Sequence, residues 1–123
     1  MQLTNYNDDE LLLEISIARI TFLSFSQKKN LRQNIDSAYN LSLLSIEEIE
    51  KFAEKKPGSK AIWNGAENLH CAEVALHYCK LLHIEILLNQ DERFPELLRQ
   101  ISDPPYLLYC RGNVEALINE KSV

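Results

Sequence analysis

Two consecutive prolines, Pro104 and Pro105, stand directly before the apolar run YLLYC and constrain this part of the chain more than any other feature. Each proline fixes its own φ and favours an extended conformation in the residue before it. The segment PYLLYC, residues 105–110, is therefore predicted to be a buried strand whose direction the prolines set. We interpret the pair as a structural linker rather than a binding loop.

A second apolar run, IEILL at residues 84–88, also predicts a buried strand. Between the two runs, PELLRQI opens with Pro95 at a first-turn position and predicts a short helix. VEALIN, residues 114–119, predicts another helix after the turn residues Arg111-Gly112-Asn113. The order strand, helix, strand, helix is typical of a parallel α/β sheet. Because two such strands are marginal alone, we expect another chain, or further residues of a longer protein, to complete the sheet.

The chain before residue 84 has helical periodicity. Asn7 with Glu10 three residues later predicts a helix start, followed by a buried amphipathic helix over about residues 8–23. Ser26 is the predicted cap of a shorter second helix.

Further along, Ser45 and Glu48 have the spacing of a capping box. The helix that follows is predicted to end at Pro57-Gly58. Residues 59–83 are predicted to be helical, with an interruption near Asn64-Gly65.

These segments divide the chain into a helical domain, residues 1–83, and a β-α-β-α segment, residues 84–123. The predicted fold class is α+β, mainly α. An apolar share of 46% and a charged share of 25% are typical of a folded, water-soluble domain of this length.

The charge balance excludes binding of nucleic acid through bulk positive charge, since 13 basic residues face 18 acidic ones and the net charge is −5. Any nucleic-acid contact must therefore come from a local patch or from parts of a longer protein outside this sequence. Lys28, Lys29 and Arg32 form the one compact basic cluster and are predicted to point outward from the second helix. They are the candidate nucleic-acid-binding residues, and a solvated helix face without a ligand is the other interpretation.

No arrangement of residues indicates catalysis, and three glycines leave no loop to cradle a phosphate. A nucleotide-using enzyme is therefore disfavoured, and we expect a protein that is not an enzyme and needs no cofactor. Metal binding is disfavoured as well, because the histidines and cysteines include no CxxC or HxxxH pair; these residues are His70, Cys71, His77, Cys79 and His83.

The sequence also indicates a cytoplasmic protein without a membrane segment. No apolar run approaches the roughly 18 residues of a membrane span, and the first residues lack the basic and apolar regions of a signal peptide. An odd number of cysteines, three, fits a reducing compartment.

The segment from Phe94 to Asn113 resembles the DNA-processing protein family DprA, also called Smf. The residues that carry the resemblance are Phe94-Pro95, Leu97-Leu98, Ile101, Asp103-Pro104-Pro105, Leu108-Tyr109 and Arg111-Gly112-Asn113. Phe94 replaces the tyrosine usual in the family, and His83 stands where a glycine is often found.

The resemblance implies a helical domain of the sterile-alpha-motif or helix-hairpin-helix type, followed by the start of a Rossmann-like fold. It implies a role in single-stranded DNA uptake during natural transformation and in loading of the RecA recombinase. The DNA-binding residues of the family would follow Ser122-Val123, so none is assigned here. The segment FLSFSQKKN, residues 22–30, also lacks the glycine of a DNA-binding hairpin.

We therefore expect this chain to be the N-terminal part of a DprA-like protein, acting as a scaffold and interaction domain that binds DNA weakly or not at all. Its exposed strand edges are predicted to drive formation of dimers or larger oligomers. The alternative is a free-standing protein-interaction adaptor that self-associates through its small sheet.

Overall fold

The computed structural model describes residues 7–58 and 60–111. The chain forms two compact units, residues 1–76 and 77–123. The predicted α+β, mainly helical class is confirmed. In chain order the elements of the described residues are α1 (Asp8–Ala18), α2 (Phe25–Arg32), α3 (Ala38–Ser42), α4 (Ile46–Ala53), α5 (Gly65–Leu81), β1 (Ile84–Leu88), α6 (Glu96–Arg99) and β2 (Leu107–Arg111).

The first unit is built around α1, in which every residue from 13 to 17 is buried. This helix packs against α2 and α3, and α2 packs against α4. The most buried apolar side chains come from all four helices and the turn after α1: Leu13, Ile15, Ile17, Ile20, Leu31, Leu41 and Ile49. Each contributes about 1.5–3 kcal/mol by leaving water, so this shared core is the main source of the unit's stability.

Reciprocal side-chain caps begin three of these helices. The capping boxes of Asn7 and of Ser45 are both present, which confirms the two predicted helix starts. The predicted cap Ser26 is wrong, because Ser24 begins α2 and Gln27 donates its backbone N–H to the Ser24 hydroxyl over 3.3 Å. The Gln27 side chain accepts from the Ser24 N–H in return, whereas Lys29, three residues after Ser26, has no acceptor to offer.

Helix α1 ends at Ala18, five residues before the predicted end at 23. The cap of α2 requires extended backbone at Ser24, where φ is −77° and ψ is 172°. The chain must therefore leave the helical conformation before that residue. Lys28 donates from Nζ to the carbonyl of Ala18 over 3.0 Å and so satisfies one of the carbonyls that the helix end leaves open.

The second half of the unit also differs from the predicted boundaries. Helix α4 ends at Ala53, ahead of Pro57-Gly58, because Glu54 adopts a left-handed conformation with φ at 61°. Residues 60–64 are not helical, so the helix predicted over 59–83 begins only at Gly65.

The backbone of Gly65 lies close to the backbone of Ser42, at the end of α3. A Cβ atom at this position would lie only 2.6 Å from the carbonyl carbon of Ser42 at the end of α3. Next to it, Asn64 accepts the backbone N–H of Glu67 at Oδ1 over 3.0 Å, as a helix cap does. A glycine here therefore lets the start of α5 contact the end of α3.

Strands β1 and β2 pair in antiparallel fashion, with Ile84 opposite Arg111 and Leu88 opposite Leu107. The positions of both predicted strands are confirmed, but the predicted parallel pairing is wrong. A parallel crossover must return the chain along the full strand, about 16 Å for five residues. Here the connection instead returns to the end of β1 and places Leu107 beside Leu88, so the chain reverses direction.

One part of the core of the second unit is a small buried cluster at this sheet. Leu87, Phe94 and Cys110 are its buried members, and Leu98 and Leu108 pack against them. Pro95 stands directly before α6, so the predicted short helix is confirmed with a shorter extent.

Among the described residues, no helix combines the length and apolar character needed to cross a membrane. The predicted helix 114–119 and the turn residues Gly112-Asn113 lie outside the described residues.

Candidate functional site

The predicted basic cluster lies on α2, but its three side chains have different surroundings. Lys29 is exposed, with Nζ 5.4 Å from the centre of the Phe25 ring. Lys28 is half-buried, because its Nζ reaches the carbonyl of Ala18. The expectation that all three point outward is therefore wrong for Lys28, and Arg32, whose side chain is 35% exposed, points outward only in part.

Arg32 is held by the interior of the first unit. Its Nε lies 3.1 Å from Oε2 of Glu14, whose side chain is only 7% exposed, and its Nη1 donates to the carbonyl of Ile35 over 3.2 Å. A carboxylate this deeply buried is stable only with a charged or hydrogen-bonding partner. Arg32 therefore neutralises Glu14, and Lys29 is the member of the cluster that displays its charge most openly to solvent.

The family-like segment, which is the stretch from Phe94 to Asn113 that resembles the DprA family, contains a second set of charged contacts, centred on Arg99. Its guanidinium donates to two backbone carbonyls, from Nε to Asn89 over 3.0 Å and from Nη2 to Asp91 over 2.7 Å. It also pairs with Glu96 at 2.7 Å and lies 5.7 Å from the centre of the Phe94 ring. Through these contacts the Arg99 side chain joins α6 to the loop between β1 and α6.

Arg93 ties the same loop to the sheet. Its Nη2 lies 2.9 Å from Oε2 of Glu85 on β1 and 3.3 Å from Oδ2 of Asp91, and its side chain is 11% exposed. Burial by itself lowers the pKa of the Arg93 guanidinium, but the hydrogen bonds to Glu85 and Asp91 and their negative charges outweigh burial and raise it. The three groups form an ion-pair network that links strand to loop.

The proline linker before β2 is also bound by protein groups. Asn89 donates from Nδ2 to the carbonyl of Pro105 over 3.1 Å and from its backbone N–H to the carbonyl of Tyr106 over 3.2 Å. These contacts join the end of β1 to the residues that lead into β2. They favour the interpretation of Pro104-Pro105 as a structural linker.

Sequence reasoning did not identify Glu14, Asn89, Arg93 or Arg99 as interacting residues. For Arg99 a signal existed, since Glu96 precedes it by one helical turn. For Glu14 the signal was an acidic residue inside the apolar stretch LLLEISI. No local pattern indicated Asn89, because its partners are ten or more residues away in sequence.

The cysteines are unsuited to nucleophilic chemistry. All three are free, and Cys79 and Cys110 are buried. Burial raises the pKa of the Cys79 thiol, and burial followed by the nearby charge of Glu85 raises that of Cys110, against the opposing effect of Arg93. A raised pKa keeps both thiols protonated at neutral pH. Across residues 7–58 and 60–111, no group of three or more His, Cys, Asp or Glu side chains is placed to hold a metal ion.

Comparison with known proteins gives a match for one part of the chain. Residues 85–123 match the family described as DNA recombination-mediator protein A. No curated protein and no solved structure is similar to the chain. The matched segment contains both arginines of the loop, Arg93 and Arg99, and the run from Phe94-Pro95 to Asp103-Pro104-Pro105. Over these residues the protein is similar to the DNA recombination-mediator family, which confirms the resemblance to DprA found in the sequence.

Proposed function

We propose that this protein acts in DNA processing as a recombination mediator of the DprA type. The observation that carries the proposal is the family match over residues 85–123. In this role the protein serves the uptake of single-stranded DNA in natural transformation and the loading of RecA onto it, in the cytoplasm and without catalysis of its own. The helical unit would correspond to a sterile-alpha-motif-like domain and the sheet to the start of a Rossmann-like fold.

Within that role, we assign the chain to scaffolding and protein contacts. The charged residues of the matched segment bind the segment's own backbone and side chains, as Arg93 and Arg99 do. The basic cluster is largely committed as well, since Arg32 neutralises Glu14. These commitments favour weak binding of DNA by this chain and leave protein contacts as its main contribution.

The test is a RecA-loading assay with the purified chain. Single-stranded DNA is first coated with single-strand-binding protein, and RecA ATP hydrolysis then reports how fast RecA filaments form. We expect the chain to bind immobilised RecA and to shorten the lag before hydrolysis. The matched variant Lys29→Gln, altered at an exposed cation, should retain this effect. Absence of both RecA binding and a shortened lag would overturn the proposal.

A self-associating adaptor is the second candidate, and the sheet favours it. β1 has β2 on one side and no strand of residues 7–58 or 60–111 on the other. An exposed strand edge is a site for pairing with a second chain. Analytical ultracentrifugation over a wide concentration range should then show a monomer–dimer equilibrium. A well-folded monomer at the highest concentration would exclude the adaptor and leave the recombination-mediator proposal intact.

A further inference from the structure

The first unit contains an open groove of about 270 Å³ that the family-like segment does not include. It lies between the turn after α1 and the residues that lead into α5. Its lining combines aromatic rings with polar side chains, among them Arg19, Thr21, Phe22, Trp63, Asn64 and Glu67.

The apolar wall of the groove is held in a fixed orientation. Phe22 and Trp63 contact each other edge to face, with ring centres 6.4 Å apart and planes at 81°. The Trp63 indole donates from Nε1 to the carbonyl of Leu44 over 2.9 Å, which uses its one donor inside the protein. Beside it, Ile62 is 95% exposed. The wall therefore offers apolar and aromatic surface to a ligand without having to rearrange.

The polar side of the groove is oriented by Asn68. This residue donates from Nδ2 to the carbonyl of Ser16 over 3.0 Å and accepts at Oδ1 from Nε of Arg19 over 3.2 Å. The guanidinium of Arg19 is thereby held at the groove, while its two terminal nitrogens have no partner among the described residues. These nitrogens are available to a ligand.

The remaining polar groups supply both donors and an acceptor. Within the described part of the chain, the Thr21 hydroxyl, the Asn64 side-chain NH₂ and the Glu67 carboxylate have no hydrogen-bond or ion-pair partner. Glu67 forms no ion pair with Arg19 although both line the groove. The groove therefore suits a ligand that has a flat aromatic face, an edge with donors and acceptors, and a negative charge for Arg19.

A nucleotide of a single strand has all three of these features. Unpaired bases stack on aromatic side chains and on guanidinium planes, whereas the bases of a duplex are already stacked and paired. The volume lies just below the roughly 300 Å³ at which sites for drug-sized molecules begin, so it accommodates one nucleotide and not several. The negative net charge of the chain agrees with a site that recognises a base rather than a length of phosphate backbone.

We propose that this groove is a binding subsite for a single unstacked nucleotide of single-stranded DNA, with the base against Phe22 and Trp63 and the phosphate at Arg19. The inference rests on the proposed role in DNA processing and assigns the helical unit a share in it. One nucleotide subsite binds weakly by itself, which is compatible with weak DNA binding by the whole chain.

The single tryptophan of the chain, Trp63, reports on the groove directly. Tryptophan fluorescence is titrated with the oligonucleotide dT10, with thymidine monophosphate and with deoxyribose 5-phosphate. We expect saturable quenching by the first two and none by the sugar phosphate, because the base is the part that contacts the indole. Quenching by the sugar phosphate to the same extent would show a phosphate site and overturn the assignment of a base.

Two variants in the groove and one outside it make the test specific. Phe22→Leu and Arg19→Gln should each weaken dT10 binding about tenfold, which corresponds to about 1.4 kcal/mol. Lys51→Gln, at an exposed cation of α4, should leave it unchanged. Circular dichroism of each variant confirms that the helices are intact, and Thr21→Val, at an exposed residue, gives a second groove variant if Arg19→Gln does not fold.

The failure of this inference is distinct from that of the proposed function. If dT10 binds with unchanged tryptophan fluorescence, or if Lys29→Gln loses binding while Arg19→Gln keeps it, the groove is not the site. If neither the natural chain nor any variant binds dT10, the groove proposal is also overturned. RecA loading is measured separately, so a chain that loads RecA without quenching by dT10 retains the proposed function and loses only the groove.

Discussion

The two units of the chain use their polar side chains in different ways. In the helical unit these side chains act mainly at helix ends, where the capping boxes of Asn7, Ser24 and Ser45 satisfy backbone groups. In the sheet unit they form ion pairs, and Arg93 joins Glu85 to the loop. The stability of the helical unit therefore depends on packing and backbone geometry, whereas that of the sheet unit depends more on ion pairs.

This difference follows from the size of the two cores. The helical unit buries apolar side chains from four helices, so its polar groups need only close the ends. Among the described residues, the helical unit buries twelve apolar side chains and the sheet unit seven. The smaller core leaves more of the connection between the strands to be held by hydrogen bonds and ion pairs.

The largest effect is expected from Gly65→Ala, which tests the dependence of the helical unit on close backbone contact. The new Cβ would overlap the Ser42 carbonyl, so we expect the free energy of unfolding to fall by about 3 kcal/mol. Urea denaturation gives the total, and amide hydrogen exchange assigns the loss to the helical unit.

Gly58→Ala is the matched control for that substitution. Gly58 has φ at 102° and no atom within 4 Å of an added Cβ, so only the backbone strain counts. We expect a loss of about 1 kcal/mol. Equal losses at Gly58 and Gly65 would show that the contact with Ser42 does not matter.

The next effect is expected from Arg93→Met, which removes the charge that balances Glu85 and Asp91. Two partly buried carboxylates would lose their partner, so we expect a loss of about 2 kcal/mol, with faster amide exchange in β1 and β2. In the helical unit, Arg32→Met is the comparison, and the greater exposure of Arg32 predicts a smaller loss. A larger loss for Arg32 would reverse the comparison between the units.

A third prediction concerns alkaline pH and the sheet unit. The pKa of Cys110 is raised above its ordinary value of 9.0, mainly by burial. Because the unfolded thiol ionises first, its contribution to stability is complete below pH 9 and is lost as the pH rises through the raised folded value. The free energy of unfolding should fall by about 1.4 kcal/mol per pH unit in that range for this one group.

Thermal or urea unfolding of Cys110→Ala between pH 8 and about 11 measures this contribution against other titrating groups. The variant should show a shallower alkaline decline than the natural chain. An identical slope in the variant and the natural chain would contradict the assignment to Cys110.

The smallest effect is expected from Ser24→Ala, which removes the cap of α2. A lost cap of this kind costs about 1 kcal/mol. Ser26→Ala should change the stability by much less, since Ser26 lies inside the helix and alanine is the better helix former. Chemical denaturation of both variants decides between the two serines, and a larger loss at Ser26 would restore the cap predicted from the sequence.

The features that sequence reasoning located correctly are local ones. Apolar runs between turn residues identified β1 and β2, and the spacing of Ser45 and Glu48 identified the start of α4. Helix α3 was not predicted, because five residues after the Ser37 cap are too few to show a helical period.

The features that were wrong or missed depend on contacts between distant residues. The contacts of Lys28 and Arg32 depend on where Ala18 and Glu14 lie after folding. Antiparallel pairing places Leu107 beside Leu88, nineteen residues earlier, and strand order in sequence does not determine it. The groove needs Phe22 and Trp63 together, although forty residues separate them, so no motif could have indicated it.

The register of the sheet has a practical consequence for protein engineering. Ile84 and Arg111 are paired, so the two ends of the segment 84–111 lie beside each other, with Cα atoms about 5 Å apart. A graft of this segment therefore needs only two neighbouring attachment points on an unrelated scaffold.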